Sequence, residues 1–149
     1  MAVLLEEEEG ASESRDSTSQ EDMRKFAMLI NPAAMITFLI LYESVAISLD
    51  TQIGGRYVGL DILATGFFGG FFGGAGEIGL RIMPMGRGLI GFYIVPRVGG
   101  GYPVGFMATG EVGYAWAFKA FALNLGLGAG YSSAVGFLPF GNVALGFAI

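Results

Sequence analysis

The sequence predicts an all-β fold, an antiparallel up-and-down transmembrane β-barrel that can be drawn with eight strands. Two features of composition and one of pattern predict it. The 149-residue chain is 53% hydrophobic and only 14% charged, against ~25% charged residues in an ordinary soluble domain. It carries 26 glycines, and its mean hydropathy is +0.60, so in water it would expose large apolar patches. From about residue 53 onward, large apolar residues alternate with small or polar ones, the period of two that a β-strand imposes on its faces. A soluble barrel has its large side chains inside and its polar ones outside. Here one face is too greasy for water and the other too small and polar for a hydrophobic core. That inversion is the pattern of a membrane barrel, and closure satisfies every backbone group where an open edge could not survive.

The first segment, residues 1–25, reads as a disordered acidic tail, because it is polar, Ser/Glu-rich and aperiodic. It holds eight acids against three bases, a net −5, while residues 26–149 hold five of each and are neutral. A second feature begins at Met23, where a basic start, a long apolar run and Ser44-Val45-Ala46 follow the form of a secretory leader. Asn31-Pro32 interrupts that run, and proline would strip a hydrogen bond from a helix there. The competing reading, preferred here, makes Ile36–Ile47 part of a first strand at about 35–47. The next two strands are drawn at 52–62 and 65–72; in the latter, "TGFFGGFFGG", the Phe-Phe pairs break alternation.

The fourth strand, 75–85, contains "GEIGLRI", with Glu77, Gly79 and Arg81 on one face and Ile78, Leu80 and Ile82 on the other. A helix would also bring Glu77 and Arg81 together, but with Gly74, Gly76 and Gly79 inside it at ~1 kcal/mol each. The strand is favoured. The fifth, 90–101, carries Arg97 and also Pro96, which in a closed barrel belongs at a bulge or near a rim. In the sixth, 106–118, Glu111, Gly113, Ala115 and Ala117 oppose Val112, Tyr114, Trp116 and Phe118. The seventh, 120–132, sets Asn124 and a row of glycines against leucines, and the eighth, 137–149, sets Asn142, Ala144 and Gly146 against Val143, Leu145 and Phe147. Met85–Gly88 and Phe118–Phe121 read as short turns, with Arg87 a turn residue, and Ser132-Ser133 reads as a turn.

The inward polar set is therefore Glu77, Arg81, Arg97, Glu111, Asn124 and Asn142. An eight-strand lumen is just wide enough to be filled by side chains, and unpaired charges inside it are costly. The expectation is a plug in which Arg81 and Arg97 bridge Glu77 and Glu111, rather than a selectivity ring in an open pore. Tyr93, Tyr102, Tyr114, Trp116 and Tyr131 are candidates for interfacial girdles.

At "GFYIVPRVGGGY" (Gly91–Tyr102), followed by "GEVGYAWAF" and "FALNLGLGAGY", the chain resembles a family of small bacterial outer-membrane barrels of unknown function, distant cousins of the OmpA/OmpX and opacity types. The resemblance covers roughly residues 30–149, with Ile30–Pro32 similar to the lead-in to the family's first strand. It implies an eight-strand-type barrel in an outer membrane and no established enzymatic activity.

Cysteine and histidine are absent, which excludes disulfides and Cys/His metal sites and removes the commonest general base. No cofactor or metal is expected, and a neutral body argues against a nucleic-acid partner. The lipid bilayer is the expected partner, and no obligate protein partner is inferred. The functional expectation is a non-enzymatic outer-membrane barrel. Alternatives are a narrow channel, a membrane-embedded barrel enzyme, a soluble lipocalin-like binder and a helical glycine-zipper protein; the GxxxG spacings say little at this glycine density.

Overall fold

The computed structural model describes residues 24–33, 43–70 and 72–149. The acidic stretch 1–23 and residues 34–42, with most of the strand expected at 35–47, lie outside the described residues. The eight strands are β1 (Phe26–Ile30), β2 (Ser44–Gly54), β3 (Val58–Gly69), β4 (Gly73–Ile82), β5 (Gly91–Tyr102), β6 (Gly105–Phe118), β7 (Phe121–Ser132) and β8 (Gly136–Ala148). Each pairs antiparallel with the next, and β1 pairs with β8, so the sheet is a closed up-and-down barrel. The closing seam is short, running from Ala27↔Ala148 to Ile30↔Leu145. It is extended by the amides of Lys25 and Phe26, which both donate to the Ile149 carbonyl.

The first three strands differ from the sequence reading. The barrel opens with Phe26–Ile30, inside the leader-like run, and Asn31-Pro32 follows β1 instead of leading into it. Five consecutive apolar residues, "FAMLI", show no period of two by eye. Yet Ala27 and Leu29 are buried inward while Ile30 is exposed. The tail boundary moves as well. Arg24 bridges to Gly88 and accepts from the Leu89 amide, and the Lys25 carbonyl accepts from Gly54, so both belong to the barrel.

The segment expected at 52–62 is cut by the tight Gly55–Tyr57 turn, closed by Gly55 N–H to Val58 O. Residues 52–54 end β2, and 58–62 run on without a break into the next expected strand, 65–72, to make β3, which ends at Gly69. The adjacent phenylalanines do not break its alternation. Phe67 faces in and is buried, whereas Phe68 faces out.

Pro96 sits mid-strand with an exposed side chain, neither at a rim nor at a bulge. Register passes from Gly79↔Arg97 to Ile82↔Ile94 with no residue inserted, and only the two intervening positions go unpaired. A missing N–H accounts for that gap.

The end of the barrel holding Lys25 and Ile149, here called the base, is closed from within. The connection 83–90 turns back over it through Gly86 and Gly88, whose φ values of 61° and 66° lie in the left-handed region. It is held by Met83 N–H to Tyr57 O and Leu89 N–H to Arg24 O. Met83 and Leu89 thereby join Ala27, Leu29, Tyr93, Val95 and the alanines of β6–β8 in one buried apolar cluster. Arg87 is an exposed residue of this connection. At the opposite end, the top, Ser132 Oγ donates to Val104 O and Ser133 Oγ accepts from Phe106 N–H, tying two turns together.

The outer face is apolar all round. Ile62, Ile78, Leu80, Ile94, Val98, Val112 and Leu125 are exposed around its middle, as are Leu127, Val143 and Leu145. Aromatic side chains cluster toward the two ends: Phe68, Phe72, Tyr102, Phe106, Tyr131 and Phe137 at the top, and Tyr57, Phe92, Phe118, Phe121 and Phe147 at the base. Tyr114 and Trp116, with ring centroids 4.7 Å apart, extend the basal set along β6.

Candidate functional site

Above the apolar base lies a layer of ionised and hydrogen-bonded side chains. Strand parity puts them there: Asp61 on β3, Glu77 and Arg81 on β4, Tyr93 and Arg97 on β5, Glu111 on β6 and Asn142 on β8 all point inward and are buried. Arg97 is the hub. Its Nε donates to Asp61 Oδ1 at 2.5 Å and its Nη1 to Glu111 Oε2 at 2.8 Å. Glu111 Oε1 also accepts from Tyr93 Oη at 2.6 Å and from Asn142 Nδ2 at 2.7 Å, and Asn31 Nδ2 donates to Asn142 Oδ1. Glu111 thus holds three partners contributed by two strands besides its own. Charge-assisted bonds of this kind are the stronger class of hydrogen bond.

Arg81 is held differently. Its guanidinium lies 3.6 Å from the centroid of the Tyr93 ring and its Nη1 is 3.6 Å from Asp61 Oδ2. It is wholly buried, and its three guanidinium nitrogens make no hydrogen bond to the described residues. A cation over a tyrosine face, desolvated, gains ~2 kcal/mol, and Asp61 supplies the opposite charge.

The expected partnership of Arg81 and Arg97 with Glu77 and Glu111 is therefore corrected in two of its four members. Asp61, not Glu77, is shared by the two arginines, and Glu77 accepts instead from Thr109 Oγ1 at 2.7 Å. Tyr93, expected in an outer girdle, faces the lumen with 1% of its surface exposed. Its parity with Arg97 four residues later was the available signal. Asn124 is buried inward between Ala115 and Ala144, and its Nδ2 is unpartnered among the described residues, so it lies outside the network.

Two acids were missed altogether, Asp50 and Asp61. Both are buried, and Gln52 Nε2 donates to Asp50 Oδ2 at 2.7 Å. The strand boundaries drawn from sequence left Asp50 in a turn, although Ser44, Ala46, Ser48, Asp50 and Gln52 share one parity. Among the described residues the inward charge is consequently not balanced: four carboxylates face two guanidiniums.

Glycine makes room for this layer. Tyr93, Gly113, Gly126 and Asn142 lie in one row across β5–β8. A Cβ on Gly113 would sit 2.5 Å from Tyr93 Oη, and one on Gly126 would sit 2.5 Å from Glu111 Oε1. The two small residues clear the space in which Tyr93 and Glu111 meet.

Above the polar layer the lumen widens into a cavity of about 410 Å³ reaching the top turns. Glu77, Asp50, Arg97 and Glu111 line it, together with Ser48 and Thr65, whose hydroxyls are 2.9 Å apart. From base to top the lumen is thus an apolar stopper, an ionic layer and a cup. Family models, curated proteins and solved structures were all compared with the chain, and none matches it.

Proposed function

We propose that the protein is a non-enzymatic integral β-barrel of the bacterial outer membrane, whose lumen is plugged by its own side chains. The observation that carries this reading is the outer surface: a continuous aliphatic middle bounded by aromatic side chains toward both ends. Lipid-facing barrels have an apolar band flanked by aromatic girdles; nothing in water would favour that order. Strands β2–β8 run from 10 to 14 residues, and a tilted strand needs ~9–11 to cross a bilayer. The charges of the strand interiors are turned inward, where Arg81, Arg97, Asp61 and Glu111 pair with one another. The bacterial outer membrane is the compartment that the even strand number and the family resemblance favour, with the lipid bilayer as partner. Histidine, the commonest general acid–base side chain, is absent from the chain.

The apolar stopper at the base favours a plug over a conduit. The protein refolded into detergent micelles is expected to give a β circular-dichroism spectrum and an unboiled band that migrates faster than the boiled one. In planar bilayers its conductance is expected to match the protein-free membrane. Stepwise conductance would make it a narrow channel instead. A water-soluble chain with no heat-modified band would remove the membrane from the reading.

A further inference from the structure

Of the six charged side chains that the described residues place in the lumen, four are accounted for by one another. Arg97 joins Asp61 and Glu111, and Arg81 lies against Asp61. Asp50 and Glu77 remain, and among the described residues neither has a cation within ion-pair distance. Asp50 is 2% exposed, and its Oδ1 has no hydrogen-bond partner among the described residues although it lines the cavity. A buried, unpartnered carboxylate oxygen is costly, and here it faces space that a ligand can enter.

The register fixes how these two carboxylates stand. Asp50 pairs with Leu63, and Leu63 pairs with Glu77, so the three occupy one row on adjacent strands, all pointing inward. Neighbouring strands are ~4.8 Å apart, which sets the two acidic positions ~10 Å apart along the wall. Leu63 lies between them, and Phe67, Met107 and Phe140 add apolar surface to the same cavity. Among the described residues no three carboxylates are grouped to hold a metal ion. The floor is an anionic pair separated by a greasy spacer, and its complement is a cationic pair separated by a greasy spacer.

We propose that the cup binds a short alkyl diamine, one ammonium on Asp50 and the other on Glu77, with the methylene chain over Leu63. Such a dication also neutralises the two-carboxylate excess of the lumen. The volume lies in the range of small-molecule sites. The inference rests on the lumen of the barrel and is independent of where the barrel resides.

The test is calorimetric titration of the detergent-folded protein with 1,5-diaminopentane at low salt, beside 1-aminopentane and 1,5-pentanediol. Saturable one-to-one binding with a Kd of about 0.1–1 mM is expected for the diamine. The monoamine should bind about tenfold more weakly and the diol not measurably, since each lost charge removes an ion pair. Asp50→Asn and Glu77→Gln should each weaken the diamine about tenfold while keeping the fast-migrating unboiled band. Absence of saturable heat up to about 10 mM diamine overturns the proposal. Binding that both substitutions leave unchanged overturns it too, since it places the amine elsewhere on the protein. If a variant does not fold, the ranking of the three ligands on the unaltered protein decides: equal binding of amine and diamine, or binding of the diol, overturns the proposal.

Discussion

Replacing Arg97 with methionine is expected to destabilise the folded barrel by about 3–5 kcal/mol, the cost of breaking a buried ion pair from one side. Arg97 is the donor to both Asp61 and Glu111, and all three side chains are almost fully buried. Glu111 would keep its bonds from Tyr93 and Asn142. Among the described residues Asp61 would keep only Arg81, at 3.6 Å. Most of the loss therefore falls on Asp61. Methionine fills much of the same volume, so a cavity contributes little. Removing the stranded charges as well should return most of the stability, because buried ionic groups replaced together by neutral ones of similar shape cost little. Arg81 must be neutralised too, since Asp61 is its counter-charge. The quadruple variant Arg81→Met, Arg97→Met, Asp61→Asn, Glu111→Gln is thus expected to unfold in urea close to the parent, and the single Arg97→Met variant far below it. A single variant as stable as the parent would show that the network does not hold the lumen together.

The second large effect lies on the outside. Val112→Arg is expected to cost about 2–4 kcal/mol when the protein is folded into lipid vesicles, the penalty for an arginine near the bilayer midplane on a barrel's lipid face. Val112 lies in the middle of β6, 47% exposed, between Ile94 on β5 and Leu127 on β7. The same charge introduced as Ala134→Arg, in the turn between β7 and β8, should cost only ~0–1 kcal/mol. In a soluble protein an exposed Val→Arg change would fall within about ±0.5 kcal/mol at either position. The difference between the two sites, measured by denaturant titration in vesicles, carries the information.

The fold was legible wherever one face was visibly different from the other. From Gly73 on, the alternation of "GEIGLRI", "EVGYAWAF" and "NVALGFAI" sets both strand and face, because large and small residues there take strictly opposite parities. It failed where both faces are apolar. Phe26–Ile30 carries no contrast, and its inward Ala27 and Leu29 are chosen by closure, Ala27 between Gln52 and Ala148 and Leu29 between Asp50 and Gly146, with the β8 partners far away in sequence. Misplacing that strand shifted the next two, and Asp50 fell into a turn on paper.

The site was legible as a set of inward charges and not as a set of partners. Which carboxylate meets Arg97 depends on register between β3, β4, β5 and β6. Asp61 and Arg97 come together through the β3–β4 and β4–β5 ladders, where Asp61↔Gly79 and Gly79↔Arg97 form one row. Gly79 has no side chain to intervene, so Arg97 reaches across it to Asp61. Tyr93 was misread for a different reason. Aromatic residues suit an interface in general, and only its parity with Val95 and Arg97 assigns it to the lumen, where Gly113 and Gly126 leave room for its ring.

On the proposed reading the apolar outer face meets lipid. The chain has a single tryptophan, Trp116, on that face of β6 toward the base. The most direct measurement is quenching of its fluorescence in vesicles made with phospholipids brominated at different depths along the acyl chain. Strong quenching is expected, greatest for bromines near the headgroup end and weaker for those at the bilayer centre. A Trp116 that no brominated lipid quenches, in a chain that stays folded without lipid or detergent, would contradict that reading.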